Sequence, residues 1–193
     1  MLKEIKDIMQ EIVCLTNSLN HKISSKDYFI EDCGCPHDPA KIDLKSGCGA
    51  VYLFFYQGEA LKIGKANPGS AVRFKYHHYG FSAPSTLARS VCSDAQFIAL
   101  GVNRTNVKSW LKQNTYRINI QVSGNDIEAA TELIEAVLHY QFRPRYEGAL
   151  NNTAGKQKNR NISGGSGYST SNGKQKNRNI SGGSGYSTSK MKE

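Results

Sequence analysis

Apolar residues recur at spacings of three and four over residues 2–19, at Leu2, Ile5, Met9, Ile12, Leu15 and Leu19. That spacing lines one face of a 3.6-residue turn and predicts an amphipathic helix. Residues 20–47 show no such period. They carry Gly34, Pro36, Pro39 and Gly47 among mixed charges and read as an irregular linker. The pattern changes at Gly49. Ala50 to Tyr56 (AVYLFFY) is aliphatic and aromatic, a strand signal. Gln57-Gly58-Glu59 turns the chain, and Ala60 to Ile63 returns as a second strand of a hairpin. Pro68 then opens a helix to about Tyr79, ending at Gly80, because a first-turn proline gives up no needed hydrogen bond. Ser85 to Val91 and Asn103 to Gln113 predict two more helices, the latter with Trp110 and Leu111 inward. Tyr116 to Val122 alternates apolar and polar residues and is a third strand. Asn125 or Asp126 caps a last helix to about Phe142, with Pro144 beyond it. Its buried side would be Ile127, Ala130, Ile134, Val137, Leu138 and Gln141.

These elements predict an α/β fold with a small, three-stranded, mainly antiparallel sheet flanked by helices. The expected order is an N-terminal helix over 1–20, a linker over 21–48, the main domain over 49–150 and a disordered basic tail over 151–193. The tail holds a perfect repeat of 18-residue period: Gly155 to Ser171 (GKQKNRNISGGSGYSTS) returns as Gly173 to Ser189. Each copy has one aliphatic and one aromatic residue, too little to offset its ordering entropy.

Charge sharpens this division. Of the formal net charge of +9, residues 155–193 carry +7 and residues 1–154 carry +2. A basic tail favours polyanions without sequence choice. No run of 18 apolar residues occurs, and the N-terminal residues mix charge with apolar groups, so neither a membrane span nor a secretory leader is expected. The expected location is cytoplasmic. The five cysteines, an odd number, argue against a disulfide framework there.

Several residues now fall in a telling order. Ala50-Val51-Tyr52 lies on the first strand and Lys62-Ile63-Gly64 on the second, ten positions after Tyr52. Arg73 and His77 follow on the basic helix, one turn apart and on one side. Glu135 lies on the last helix, nine residues before Pro144-Arg145-Tyr146. The ordered set resembles the GIY-YIG nuclease family over about residues 49–148. Arg73 to Tyr79, Ser85-Thr86-Leu87-Ala88, Tyr116-Arg117-Ile118-Asn119 and Pro144 to Gly148 are similar to a bacterial subgroup of it. Two departures stand out: Lys62 replaces the second motif tyrosine, and Glu147 stands where many members have an asparagine, with Asn151 or Asn152 as substitutes.

The resemblance implies a DNA endonuclease with Tyr52, Lys62, Arg73, His77 and Glu135 as catalytic residues. Glu135 would bind the metal, Mg²⁺ or Mn²⁺, with waters filling its other positions. The chemistry of these residue types agrees. Phosphodiester hydrolysis needs an activated nucleophile, a counter-charge for the pentacovalent phosphate and help for the leaving oxygen. A tyrosine ionises near ~10, and an ammonium such as that of Lys62 favours the phenolate. Arg73 offers a planar fork for two phosphate oxygens. Lys65 and Lys75 are candidate nucleic-acid contacts, although both also read as surface lysines, and His78 reads as a surface residue.

Each candidate has a plainer reading. Tyr52 is one aromatic among several on a packed strand. Lys62 is a solvated lysine, and Arg73 and His77 form an ordinary basic face. Glu128, Glu132, Glu135 and His139 share one face of the last helix, as a wet side would. The spacing to Pro144 selects Glu135, with Glu132 as runner-up. Cys33, Cys35, His37 and Cys48 have zinc-ligand chemistry, but paired cysteines of structural sites usually stand further apart. A non-catalytic nucleic-acid-binding module on the same scaffold is the alternative to the nuclease.

Overall fold

Four strands, one more than expected, make the sheet in the computed structural model of the protein, which describes residues 1–83 and 86–146. The strands are β1 (Tyr28–Gly34), β2 (Gly49–Tyr56), β3 (Glu59–Ala66) and β4 (Tyr116–Val122). All neighbours are antiparallel, in the order β1-β4-β2-β3. The helices are α1 (Leu2–Thr16), α2 (Ala71–Tyr76), α3 (Leu87–Cys92), α4 (Ala95–Ala99), α5 (Val107–Asn114) and α6 (Ile127–Phe142). The expected 151–193 tail and its repeats lie outside the described residues. Among the described residues, no helix is long and apolar enough to cross a membrane.

The added strand corrects the linker expectation for 21–48. β1 pairs along β4, with Ile30 opposite Ile120 and Glu31 opposite Asn119. Its sequence (YFIEDCG) hides it, because two acidic residues and a glycine interrupt an otherwise strand-like run. It is an edge strand and half-buried along most of its length, where such residues are tolerated. The chain beyond it makes a 3₁₀ turn at Pro39–Lys41 and buries Ile42, Leu44 and Cys48 against the sheet.

The β2–β3 hairpin closes as the sequence implied. Gln57 and Gly58 both take positive φ, 49° and 86°, the geometry that matches strand twist in a two-residue loop. β2 lies between β4 and β3 and is covered on both faces, so every residue from Gly49 to Phe55 is buried.

The two faces bury different cores. Val51, Leu53, Phe55, Ile63, Ile118, Ile120 and Val122 pack under α1 and α6. Ala50, Tyr52 and Phe54 face the other layer, with α2, α3, α4 and α5. Gly49 lets α6 lie close, since a Cβ there would meet Ile127 Cγ2 at 2.6 Å. Helix stripes shift slightly from expectation. Ile5, Met9 and Ile12 of α1 are buried, but Leu15 and Leu19 are exposed because Thr16 takes the inward place and bonds Ile23. On α6, Ile134 and Leu138 are buried while Gln141 is exposed and donates to Glu4. α5 starts at Val107, later than expected, because Asn103, Thr105 and Asn106 fold into side-chain-bonded turns.

β4 alternates as expected, but its polar side does not meet water. Arg117, Asn119 and Gln121 are all buried beneath the α2 layer. Gln121 is satisfied by the 43–45 backbone, donating to Asp43 O and accepting from Lys45 N. Arg117 donates to Asn119 Oδ1 (2.9 Å), Tyr79 Oη (3.1 Å) and Phe74 O (2.8 Å). Its guanidinium also lies between the Phe54 and Phe74 rings, about 5 Å from each centroid. Asn119 in turn donates to Glu31 Oε2 at 2.8 Å. A buried cation thus ties β4 to the last carbonyls of α2, where the helix dipole favours positive charge.

Two outcomes follow from this core. Arg117→Ala leaves a cavity and strands the acceptors it served. It should lower stability by about 3–5 kcal/mol in chemical denaturation. Arg117→Lys keeps the charge but loses the fork, and should remain destabilised. His37 is the second case. Burial, then the Arg117 and Lys112 charges, push its pKa down to about 4 despite its bond to Thr115 O. An unfolded histidine titrates near ~6.5, so its contribution is full above that pH and lost as pH falls toward 4. Urea midpoints should therefore drop between pH 7 and 4.5, and drop less in His37→Gln.

Candidate functional site

Register alone brings the first two residues to one face. Tyr52 is opposite Gly64, and Phe54 is opposite Lys62, so Tyr52 and Lys62 project from the same side of the sheet. Both are almost fully buried, at 2% and 3% exposure. The Tyr52 ring lies across Gly64. A Cβ at that glycine would meet Tyr52 Oη at 2.5 Å and Cζ at 2.8 Å. The glycine of the Lys62-Ile63-Gly64 motif is thus required by its opposite neighbour, and not by its own backbone angles.

The α2 layer supplies the rest. Phe74 anchors α2 against the Tyr52 ring, with centroids 6.3 Å apart. Arg73, one residue earlier, is exposed at the rim. The helix then tightens into a 3₁₀ turn at His77–Tyr79. The 3.6-residue phase is lost there, and the turn carries His78 and Tyr79 inward. His77 is half-buried and hydrogen-bonded through Nδ1 to Ser82 Oγ at 3.2 Å. His78 corrects the surface expectation. It is 2% exposed, with its ring 4.5 Å from that of Tyr52 and 5.5 Å from that of His77.

Neighbouring charges act on both imidazoles. Burial, then Arg73 and Lys62, lower the pKa of His77. Burial, then Lys62, Arg117, His77 and Arg73, hold His78 well below the ordinary histidine value. Both rings are neutral near pH 7. The arrangement offers neutral imidazoles for proton acceptance or hydrogen bonding, ringed by fixed positive charge that suits an anion.

Glu135 comes from the layer on the other side of the sheet. α6 crosses the edge strand with Glu132 paired to Lys65 Nζ and His139 Nε2 bonded to Ile63 O at 3.2 Å. Glu135 lies between these two contacts along the helix, half-buried and 4.0 Å from His139. Of the two acidic candidates, Glu132 is committed to Lys65 and is the more exposed.

The two nucleic-acid lysines do not form one patch. Lys65 belongs to the α6 side of β3, where it pairs with Glu132. Lys75 on α2 pairs with Asp43 Oδ1 at 2.7 Å, and that hydrogen bond raises its pKa. The zinc candidates are likewise spent on the fold. His37 bonds Thr115 O and Tyr79 Oη, Cys33 accepts from Asn119, and Cys35 donates to Gln113 O. Among the described residues, no group of three or more His, Cys, Asp or Glu is placed to hold a metal ion.

Pro144-Arg145-Tyr146 proves to be a clasp. Arg145 N and Tyr146 N donate to Ala60 O and Leu61 O of β3. The Arg145 guanidinium grips Asp94, which caps α4, at 2.7 and 3.2 Å. The sequence reading missed His78, Arg117 and Asn119 as parts of the site and its support. Adjacent histidines and a polar face on a sheet strand were the available signals.

Gly64→Ala should displace the Tyr52 ring and cost about 1–3 kcal/mol, read by chemical denaturation. The cost should shrink in a Tyr52→Leu background, because the two residues share one space.

Comparison of the chain with protein-family models, with curated proteins and with solved structures yields no match.

Proposed function

We propose that the chain is a divalent-metal-dependent endonuclease that hydrolyses phosphodiester bonds of DNA in a GIY-YIG-like site. The observation that carries this reading is that Tyr52 and Lys62 share the sheet face on which α2, the helix that holds Arg73 and leads into His77, is anchored through Phe74. In this mechanism Arg73 at the rim binds phosphate oxygens through its fork. Lys62 adds a fixed positive charge that favours the Tyr52 phenolate and opposes the charge developing on phosphorus. The attacking water passes its proton to Tyr52 or to neutral His77, and its oxygen forms the new bond to phosphorus as the sugar oxygen departs. Glu135 would be the metal ligand, and a single half-buried carboxylate suits Mg²⁺ or Mn²⁺. A bound cation there would neutralise phosphate charge and assist the leaving oxygen. The basic tail would add salt-sensitive, sequence-independent affinity. DNA as partner and a cytoplasmic location belong to the same proposal.

One observation favours the second reading, a non-catalytic nucleic-acid-binding module. Tyr52 and Lys62 are almost closed to solvent.

Plasmid cleavage separates the two. The purified chain should nick or cut DNA with Mg²⁺ or Mn²⁺, and Tyr52→Phe and Glu135→Ala should each lose at least about a hundredfold in rate. Retention of DNA in a gel shift without cleavage by the parent would support the binding module.

A further inference from the structure

His78 stands apart from the other buried polar side chains among the described residues. Among the described residues, it alone is buried with no hydrogen-bond partner, and this holds for both Nδ1 and Nε2. Comparable groups nearby are satisfied: His37 uses both ring nitrogens, and Arg117, Asn119 and Gln121 all have partners. An unpaired buried donor and acceptor is as unfavourable as lost hydrogen bonds, so each such group calls for an explanation. Packing does not supply one. The ring lies between Tyr52 and Phe54, with centroids 4.5 and 5.6 Å away, where an aliphatic side chain would leave nothing unpaired.

The surroundings indicate what the missing partner is. Burial first, then the Lys62, Arg117 and Arg73 charges, hold the pKa of this ring well below the ordinary histidine value and favour its neutral form. A neutral imidazole holds one N–H to donate, and the cations around it favour an acceptor that brings negative charge.

We propose that His78 is a ligand-contacting residue of this site, whose ring N–H donates to an anionic phosphate oxygen held between Arg73 and Tyr52. The proposal rests on the phosphodiester reading of the site. It assigns His78 a role in binding, distinct from the proton transfer given to Tyr52 and His77. The fold leaves the imidazole unsatisfied so that the ligand completes it.

The test uses the full chain with ¹⁵N-labelled histidine. It is titrated with the dinucleotide dTpdT, and with the methylphosphonate-linked counterpart, whose linkage carries no charge. The His78 ring nitrogens should shift with dTpdT and stay in place with the neutral analogue. This arm needs no variant to fold. His78→Leu should unfold at an equal or higher denaturant midpoint than the parent, because it removes the unpaired atoms. It should also bind dTpdT about tenfold or more weakly. His78→Gln, which keeps a donor, should recover part of that loss. If His78→Leu binds as the parent does while Arg73→Ala binds more weakly, His78 is only a packed ring and the proposal is overturned. If neither substitution weakens binding, the phosphodiester reading falls as well.

Discussion

A buried arginine on the central part of the sheet governs how the site is assembled. Arg117 sends its donors to Asn119, Tyr79 and the Phe74 carbonyl, and its plane is held by two phenyl rings. A guanidinium cannot be neutralised in a protein interior, so its charge must be compensated where it lies. Here helix-end carbonyls, a phenol and a relay through Asn119 to Glu31 share that task. The consequence is positional. α2 has only six residues and its own helical bonds are few, so its angle on the sheet is set from below. Arg73, His77 and His78 inherit their places from that contact.

The sheet divides the remaining work between its faces. One face is apolar and binds α1 and α6, which supply much of the core. The other mixes aromatic rings with buried polar groups and carries the candidate chemistry. The two communicate where a side chain is missing. Gly64 lies on edge strand β3, opposite Tyr52, beside Ile63, whose carbonyl bonds His139 of α6. The clasp of Arg145 on Asp94, and the backbone bonds of residues 145 and 146 to β3, cover the neighbouring part of the same edge. An edge strand in this position is protected from pairing with another chain, and its geometry is held at the point where the site needs it.

Charge inside the site is graded. Arg73 is exposed, His77 half-buried, and Lys62, Tyr52 and His78 lie deep. The imidazoles are kept neutral by burial reinforced by the nearby cations, so the interior of this face holds hydrogen-bonding groups in a positive field. Lys65 and Lys75 contribute less to that field than their sequence positions suggest, because each is paired with a carboxylate.

The sequence by itself determined the elements with strong periods: α1, the β2–β3 hairpin, β4 and α6, although Asp126 at the start of α6 bonds His21 and makes no side-chain cap. The order and spacing of its motifs, read as a resemblance, also singled out Tyr52, Lys62, Arg73, His77 and Glu135. β1 escaped because an edge strand tolerates acidic residues that weaken its pattern. Tertiary structure alone decided the burial of His78, which depends on a helix tightening to a 3₁₀ turn and not on any period in the chain. It alone decided that the polar side of β4 is an interior surface, because a strand's alternation marks two faces without saying what covers each. It alone paired Glu132 with Lys65 across the β3 edge. Local pattern reports propensity along the chain; which groups end in the same low-dielectric space is set by packing between elements distant in sequence.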